Sequence, residues 1–427
     1  MELFIPFSFT YNSNVMFDQF EKFDTKANPK NPVLVPLTTI VGATEVWKHK
    51  AKISKINMKG VKPPYILLAN HNAFLDIQML RYITFPHKMS YIVAIDGFLG
   101  RKKFLESIGC ICKRKFTTDP YLVKNIDYVL NKQHHILAMF PEARYSLCGT
   151  TAIIPKSVAR LVKHFHVPLV ILKMRGHHIN SPFWNLRMRN VKGIEADLKC
   201  VATAEEIENM SIDEIDDIIQ SEFIYDEYAW QKRRNIHIPY DWRAEGLHKV
   251  LYKCPHCGKE YEMSTSGTTL KCNACGKEWF YTELGELEGK DGKTEFSHIP
   301  DWYEWERDEV RKEVESGTYY FESEVHTDIL PMDKFIPIGK GKLVHNLDGF
   351  TLTGEFEGKP YELKIASNKI YGVHIEYEYL GKYGDCVDLN TLDNTYYVYP
   401  ERKDFSVTKI SLAVEEIYKH IFKNKVD

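Results

Sequence analysis

Cys254-Pro255-His256-Cys257 and Cys272-Asn273-Ala274-Cys275 are two Cys-x-x-Cys pairs separated by 14 residues. Each is followed by Gly-Lys, at Gly258-Lys259 and Gly276-Lys277, so each closes in a tight turn that directs backbone amides toward sulfur. Two such knuckles supply four thiolates, the donor set and spacing of a tetrahedral Zn²⁺ site. Four protein ligands leave no open position, so the ion is expected to be structural. A unit of about 30 residues buries too little surface to fold alone, and zinc supplies the missing free energy. His256, inside the first knuckle, is expected to be exposed. Cys110, Cys112, Cys148, Cys200 and Cys386 lack an identifiable base partner and read as buried or free thiols. An odd total of nine, four of them paired in this way, fits metal binding in a reducing compartment and not a disulfide scaffold.

The remainder of the 427 residues is that of a multidomain globular chain. With 44% hydrophobic residues, wholesale disorder is excluded, and a net charge of −2 argues against coating a polyanion along the whole chain. The longest apolar runs, such as Val167 to Leu172, fall far short of the roughly 18–20 residues of a membrane span. Met1-Glu2-Leu3-Phe4 has neither a basic n-region nor a long apolar h-region, so no secretory signal is expected. The expected location is cytoplasmic, with membrane contact peripheral and at the inner face.

Residues 1–45, with Asn28-Pro29-Lys30-Asn31-Pro32, read as a loop before the first compact domain. Over 46–235, short apolar runs (Tyr65–Ala69, Tyr91–Ile95, His135–Phe140, Val167–Leu172) alternate with segments of helical period (Leu75–Tyr82, Tyr121–Leu130, Ser157–Phe165). That alternation predicts an α/β domain with a largely parallel sheet. Ala204–Tyr228 is acidic, and Ser211 before Glu214 suits a helix capping box. The cysteine unit occupies 236–285 and a charged, Trp-rich connector with one helix near 303–315 occupies 286–333. The segment 334–427 is β-rich, with turns at Leu347-Asp348-Gly349 and Glu357-Gly358, strands at Tyr361–Ile365 and Tyr371–Tyr379, and a closing amphipathic helix.

Asn70-His71-Asn72-Ala73-Phe74-Leu75-Asp76 follows the run Tyr65–Ala69. His71 is therefore expected at the carboxyl end of a strand, where α/β sheets place their ligands. Asp76, one turn into the next helix, can fold back onto the imidazole, fix its tautomer and leave the other nitrogen as a base. Phe140-Pro141-Glu142-Ala143-Arg144 follows a second strand, and a Glu and an Arg there form a candidate anion site. Ser107 to Lys115 packs Lys113, Arg114 and Lys115 behind Gly109, and Val167-Pro168 opens a further strand. The adjacent histidines His134-His135 and His177-His178 point apart on any regular element and are not read as metal ligands.

In this order and spacing, the four blocks resemble the glycerolphosphate/lysophosphatidate acyltransferase family over about residues 50–200. His71 and Asp76 match its His-x-x-x-x-Asp motif, Gly109 and Arg114 its second block, and Phe140, Pro141 and Glu142 its third. Lys113 stands where that family usually has an acidic residue, Ala143 replaces a glycine, and Arg144 arrives one residue early. The resemblance implies that His71 deprotonates an acceptor hydroxyl, that Asp76 orients it, and that Gly109, Arg114, Glu142 and Arg144 position the acceptor. It implies an acyl-CoA or acyl carrier protein donor, a lysophospholipid acceptor, most plausibly 1-acylglycerol-3-phosphate, and phospholipid synthesis as the setting. Between residues 51 and 118 there are 12 Lys/Arg against three Asp/Glu, which suits an anionic lipid surface.

The cysteine unit resembles a zinc ribbon, and ribbons often bind nucleic acid or protein. Glu260, Tyr261, Glu262, Glu278 and Trp279 are not a basic face, so an interdomain or protein-binding role is expected and nucleic acid is not. The order of elements after about 335 looks like a small pleckstrin-homology-like barrel. The competing reading is a non-catalytic adaptor or nucleic-acid-binding protein that keeps a degenerate acyltransferase domain.

Overall fold

The computed structural model describes residues 34–423. Most of the stretch read as an N-terminal loop lies outside the described residues. Where it enters them it is a helix, Leu34–Lys48, and not a loop. Pro36 sits in the first turn, where a missing N–H costs no helical hydrogen bond. Gly42 lets this helix lie against Leu75–Thr84, since a Cβ there would meet the Gln78 carbonyl oxygen at 2.7 Å.

The first sheet has seven strands: β1 (Lys52–Ile56), β2 (Tyr65–Ala69), β3 (Met89–Ala94), β4 (Cys110–Lys113), β5 (Ile136–Met139), β6 (Leu169–Arg175) and β7 (Glu195–Ala202). Their order is β1-β7-β6-β2-β5-β3-β4. Neighbours run parallel except β6 and β7. The strand period of two divides β2 between two cores. Tyr65, Leu67 and Ala69 pack with Met79 and Leu80, whereas Ile66 and Leu68 pack with Ile126, Val158 and Val162. The expected helices are present at Leu75–Thr84, Pro120–Asp127 and Ser157–Phe165. Strand β7 was not anticipated, because its buried set, Ala196, Leu198, Cys200 and Ala202, alternates with polar residues and is mostly small. In the acidic segment, Ser211 and Glu214 form the expected capping box at the start of the helix Ile212–Glu222.

Four short antiparallel strands, β8 (Met263–Ser266), β9 (Thr269–Cys272), β10 (Glu278–Tyr281) and β11 (Leu287–Gly289), form the sheet of the cysteine unit, with Cys272 ending β9 and the other three cysteines at turns. The connector helix, Ile299–Glu315, begins earlier than expected, with Pro300 in its first turn. Its Trp302 packs on Trp279 of β10, with ring centroids 4.9 Å apart.

The last sheet is antiparallel: β12 (Phe321–Ile329), β13 (Ile336–Asn346), β14 (Gly349–Phe356), β15 (Lys359–Ala366), β16 (His374–Glu376), β17 (Cys386–Asn390) and β18 (Thr395–Pro400), in the order β15-β14-β13-β12-β18-β17-β16. Both expected turns join hairpins, β13–β14 and β14–β15. The expected strand over 371–379 is only three residues long. The sheet stays open, with β15 and β16 at its edges, so the barrel closure expected from the element order is not made. The closing helix, Val407–Lys423, lies along the connector helix. One apolar cluster runs from Leu67 through Trp279 to Val398, so the three sheets share a core.

Candidate active site

Three strand ends converge. His71 follows β2, Phe140 to Tyr145 follow β5, and His177 follows β6, with β2 between the other two. Asn70 fastens the β2 end to β6, its amide donating to the Met174 carbonyl at 2.8 Å and its carbonyl accepting from Met174 N at 2.7 Å.

Asp76, fully buried in the first turn of its helix, organises the site. Its Oδ2 accepts from His71 Nδ1 at 2.9 Å, from Asn72 N at 2.6 Å and from Ala73 N at 2.9 Å. Its Oδ1 accepts from His177 Nδ1 at 2.6 Å. Burial pushes this carboxyl's pKa up, but the hydrogen bonds from His177 and His71 outweigh it and hold the value at about 2. An ionised carboxylate only accepts, so both imidazoles carry their proton on Nδ1. His71 Nε2 is then left with a lone pair, which is what a general base needs.

The His71 ring is stacked on Phe140 at 3.9 Å between centroids and is flanked by Tyr145 at 4.2 Å. Its side chain keeps 16% exposure, so a substrate hydroxyl can reach it. Glu142 is buried beneath: its carboxyl accepts from Ala152 N at 2.8 Å and from His71 N at 3.3 Å. Burial is the main cause that lifts its pKa to about 8. Ala143, where the related motif has glycine, adopts φ of +56°, the region that glycine occupies without strain.

The two arginines expected to grip a phosphate are elsewhere. Arg114 is buried, and its Nε donates to Leu392 O, Nη1 to Leu330 O and Thr395 Oγ1, and Nη2 to Pro331 O and Asp393 O. These bonds match the five N–H donors of a guanidinium and all fall on the C-terminal sheet and its loops. Arg144 donates to Ser411 Oγ at 2.6 Å and pairs with Glu415, both on the closing helix. The position of each along the strand ends was legible, but the domain that captures it was not. Gly109 takes φ of +91° in the turn into β4, and its carbonyl accepts from Tyr91 N at 3.2 Å. It is a backbone turn and not part of the His71 cluster.

His177 is the site residue that the sequence reading missed. Its signal is positional: Arg175-Gly176 ends β6, the neighbour of β2, so His177 falls at a strand's carboxyl end just as His71 does.

Residues 48–175 match the protein family described as Acyltransferase. The chain thus carries an acyltransferase domain built on a mostly parallel α/β sheet. The chain also aligns with the crystal structure of the 1-acyl-sn-glycerophosphate (LPA) acyltransferase PlsC from Thermotoga maritima. That match has 13% identity and a TM-score of 0.35, and covers 44% of this chain and 78% of that one. No curated protein matches the chain.

The four cysteines also meet. Cys254 Sγ and Cys275 Sγ are 3.9 Å apart, Cys257 Sγ and Cys272 Sγ 3.8 Å, and all four lie within 4.8 Å of one another. A tetrahedron with Zn–S bonds of about 2.3 Å has edges of about 3.8 Å, so the cluster fits a zinc ion. Gly258 N and Gly276 N donate to the Cys254 and Cys272 carbonyls at 2.9 Å, which forms the two knuckles. His256 is exposed and bonds to Glu295, outside the set. The ion would be structural, tying the short ribbon sheet together.

Proposed function

We propose that this protein transfers a fatty acyl group from an acyl thioester, carried by coenzyme A or acyl carrier protein, to a hydroxyl of a glycerolphosphate-type lipid. The acceptor in this reading is 1-acylglycerol-3-phosphate, and the setting is phospholipid synthesis. The observation that carries it is His71 held by Asp76 in the tautomer that frees Nε2, at the convergence of three strand ends.

In this reading Nε2 takes the proton of the acceptor hydroxyl as its oxygen attacks the thioester carbonyl carbon. The ionised Asp76 stabilises the resulting imidazolium. Backbone N–H groups hold the tetrahedral oxyanion. The C–S bond then breaks, and the thiolate leaves with the proton from His71. Such a base contributes about 10²–10⁴-fold to the rate.

Two further features support contact with a lipid surface. The 12 Lys/Arg against three Asp/Glu over residues 51–118 favour anionic lipid. The helix Leu34–Lys48 exposes Leu37, Ile40, Val41 and Trp47 along one side, apolar surface that a lipid interface can cover. No helix among the described residues is long and apolar enough to cross a membrane. The adaptor reading finds less support, since ribbon lysines that nucleic acid would need are paired: Lys271 and Lys290 with Glu278, and Lys277 with Asp291.

The test is thiol release from a long-chain acyl-CoA, with lysophosphatidate on liposomes, by the purified chain and its His71→Ala variant. Turnover in the parent, lost in the variant at unchanged melting temperature, supports the reading. Equal turnover in both overturns it.

A further inference from the structure

We propose that Asp96, His374 and Glu376 bind a divalent transition-metal cation where the acyltransferase sheet meets the C-terminal sheet, apart from the four-cysteine centre. Asp96 lies in the turn Ile95–Phe98, directly after β3. His374 and Glu376 are two residues apart on β16, so they share one face of that strand. One donor atom from each of the three residues lies within 4.8 Å of the other two. Donors about 2.0–2.2 Å from one ion stand about 3–4.4 Å from one another, so small side-chain adjustments complete the site. A ring nitrogen with two carboxylates suits Mn²⁺, Fe²⁺ or Zn²⁺.

One other observation supports a ligand here. His374 is only 3% exposed, and its Nδ1 has no hydrogen-bond partner, while its Nε2 is 2.9 Å from Glu376 Oε1. Asp388 on β17 pairs in register with His374 and is buried, adding a third carboxyl group beside the three residues. The ammonium of Lys115 lies 3.4 Å from Asp96 Oδ2 and faces Asp388 and Glu376.

The position has a consequence for the site around His71. Rings connect the two: His71 to Tyr145 at 4.2 Å, Tyr145 to Phe183 at 5.6 Å, and Phe183 to His374 at 6.1 Å. A cation here places positive charge three ring contacts from His71, where it can attract an anionic acceptor. That role rests on the proposed acyl transfer, whereas the binding of the metal does not.

Mn²⁺ is the probe, because thiolates prefer zinc and the cysteine centre stays zinc-filled. The full chain, dialysed against a mild chelator, is titrated with MnCl₂ while free Mn²⁺ is followed by electron paramagnetic resonance. The expected result is one Mn²⁺ per chain with zinc content unchanged. Asp96→Asn and Glu376→Gln each weaken binding about tenfold or more, with zinc content and melting temperature retained. Pulsed resonance of the parent complex shows imidazole nitrogen coupling, a readout that needs no variant and decides the matter where a variant does not fold. No Mn²⁺ bound at millimolar concentration, binding without imidazole coupling, or equal affinity in both folded variants overturns the proposal. His71→Ala should bind Mn²⁺ as the parent does, so failure of the acyl-transfer reading and failure of the metal site are told apart.

Discussion

Arg144 and Glu415 form a buried ion pair that ties the loop after β5 to the closing helix. Arg307 of the connector helix donates to the other Glu415 oxygen at 2.5 Å, so one carboxylate holds two guanidiniums. Removing one partner of a buried pair costs about 3–5 kcal/mol, because it leaves the other charge poorly compensated. Arg144→Ala should fall at the low end, about 3 kcal/mol, since Arg307 remains opposite Glu415. A denaturant midpoint measures this. A phosphate-gripping Arg144 would instead raise KM and leave the midpoint in place.

Asp76 joins two imidazoles, and the two can be separated by mutation. Asp76→Asn keeps the shape but lets the amide donate, so His71 loses its enforced tautomer; a loss of about 10⁴-fold in kcat is the expected scale. His177→Ala removes one acceptor partnership from a buried carboxylate and should cost about 2 kcal/mol. It also affects acid stability. The carboxyl has a folded pKa of about 2, below its ordinary 3.8. Its contribution is therefore complete above about pH 4 and is lost as the pH falls from 4 toward 2. In His177→Ala the acid-unfolding midpoint should move to higher pH. An unchanged midpoint would show that His177 does not hold the charge.

The strand ends were legible because the physics behind them is local. Apolar runs of four to seven residues bounded by polar turns gave β2, β5 and β6, and hence the places of His71 and Glu142. The partners of Arg114 and Arg144 were not legible, since they lie more than 200 positions away, at Leu330, Thr395 and Glu415. No short-range pattern encodes which domain closes over a strand end. The cysteine cluster was legible because two knuckles define their own ligand set, wherever the ribbon docks. The short β16 was overestimated because aromatic alternation over 371–379 imitates a longer strand.

Ala143 offers a test of motif logic. Its φ of +56° carries a penalty for a residue with a Cβ of about 1–2 kcal/mol. Ala143→Gly should relieve part of this, offset by the greater freedom of the unfolded chain, for a net gain of up to about 1 kcal/mol. A thermal or chemical melt measures the change. A loss of stability would mean that the Ala143 methyl makes a packing contribution larger than the strain.

Zinc removal separates a structural ion from a catalytic one. Structural zinc contributes about 10–16 kcal/mol in isolated finger peptides. Trp279 and Trp302 are fully buried against one another beside the cluster. Cys272→Ser, assayed with Mn²⁺ supplied, should therefore red-shift tryptophan fluorescence, and activity should fall in step with that shift. Activity lost without any fluorescence change would point to a catalytic ion instead.

Glu142 makes the opposite contribution to Asp76. Its folded pKa of about 8 lies above the ordinary 4.5, chiefly through burial. The folded state keeps a proton that the unfolded chain releases. Its contribution is complete below about pH 4.5 and declines as the pH rises toward 8, by up to about 1.4 kcal/mol per pH unit. Glu142→Gln removes the titration; the His71 and Ala152 amides bond to different carboxyl oxygens, so the single amide oxygen keeps one of these bonds and the variant loses the other. Between pH 5 and pH 8 the variant should therefore lose less stability than the parent, as read from denaturant midpoints across that range. Parallel pH profiles for the two proteins would mean that the carboxyl is already ionised in the folded state. The neutral form also places no negative charge beneath His71, where the proposed anionic acceptor would approach. Activity of the parent should accordingly fall above pH 8 more steeply than that of Glu142→Gln.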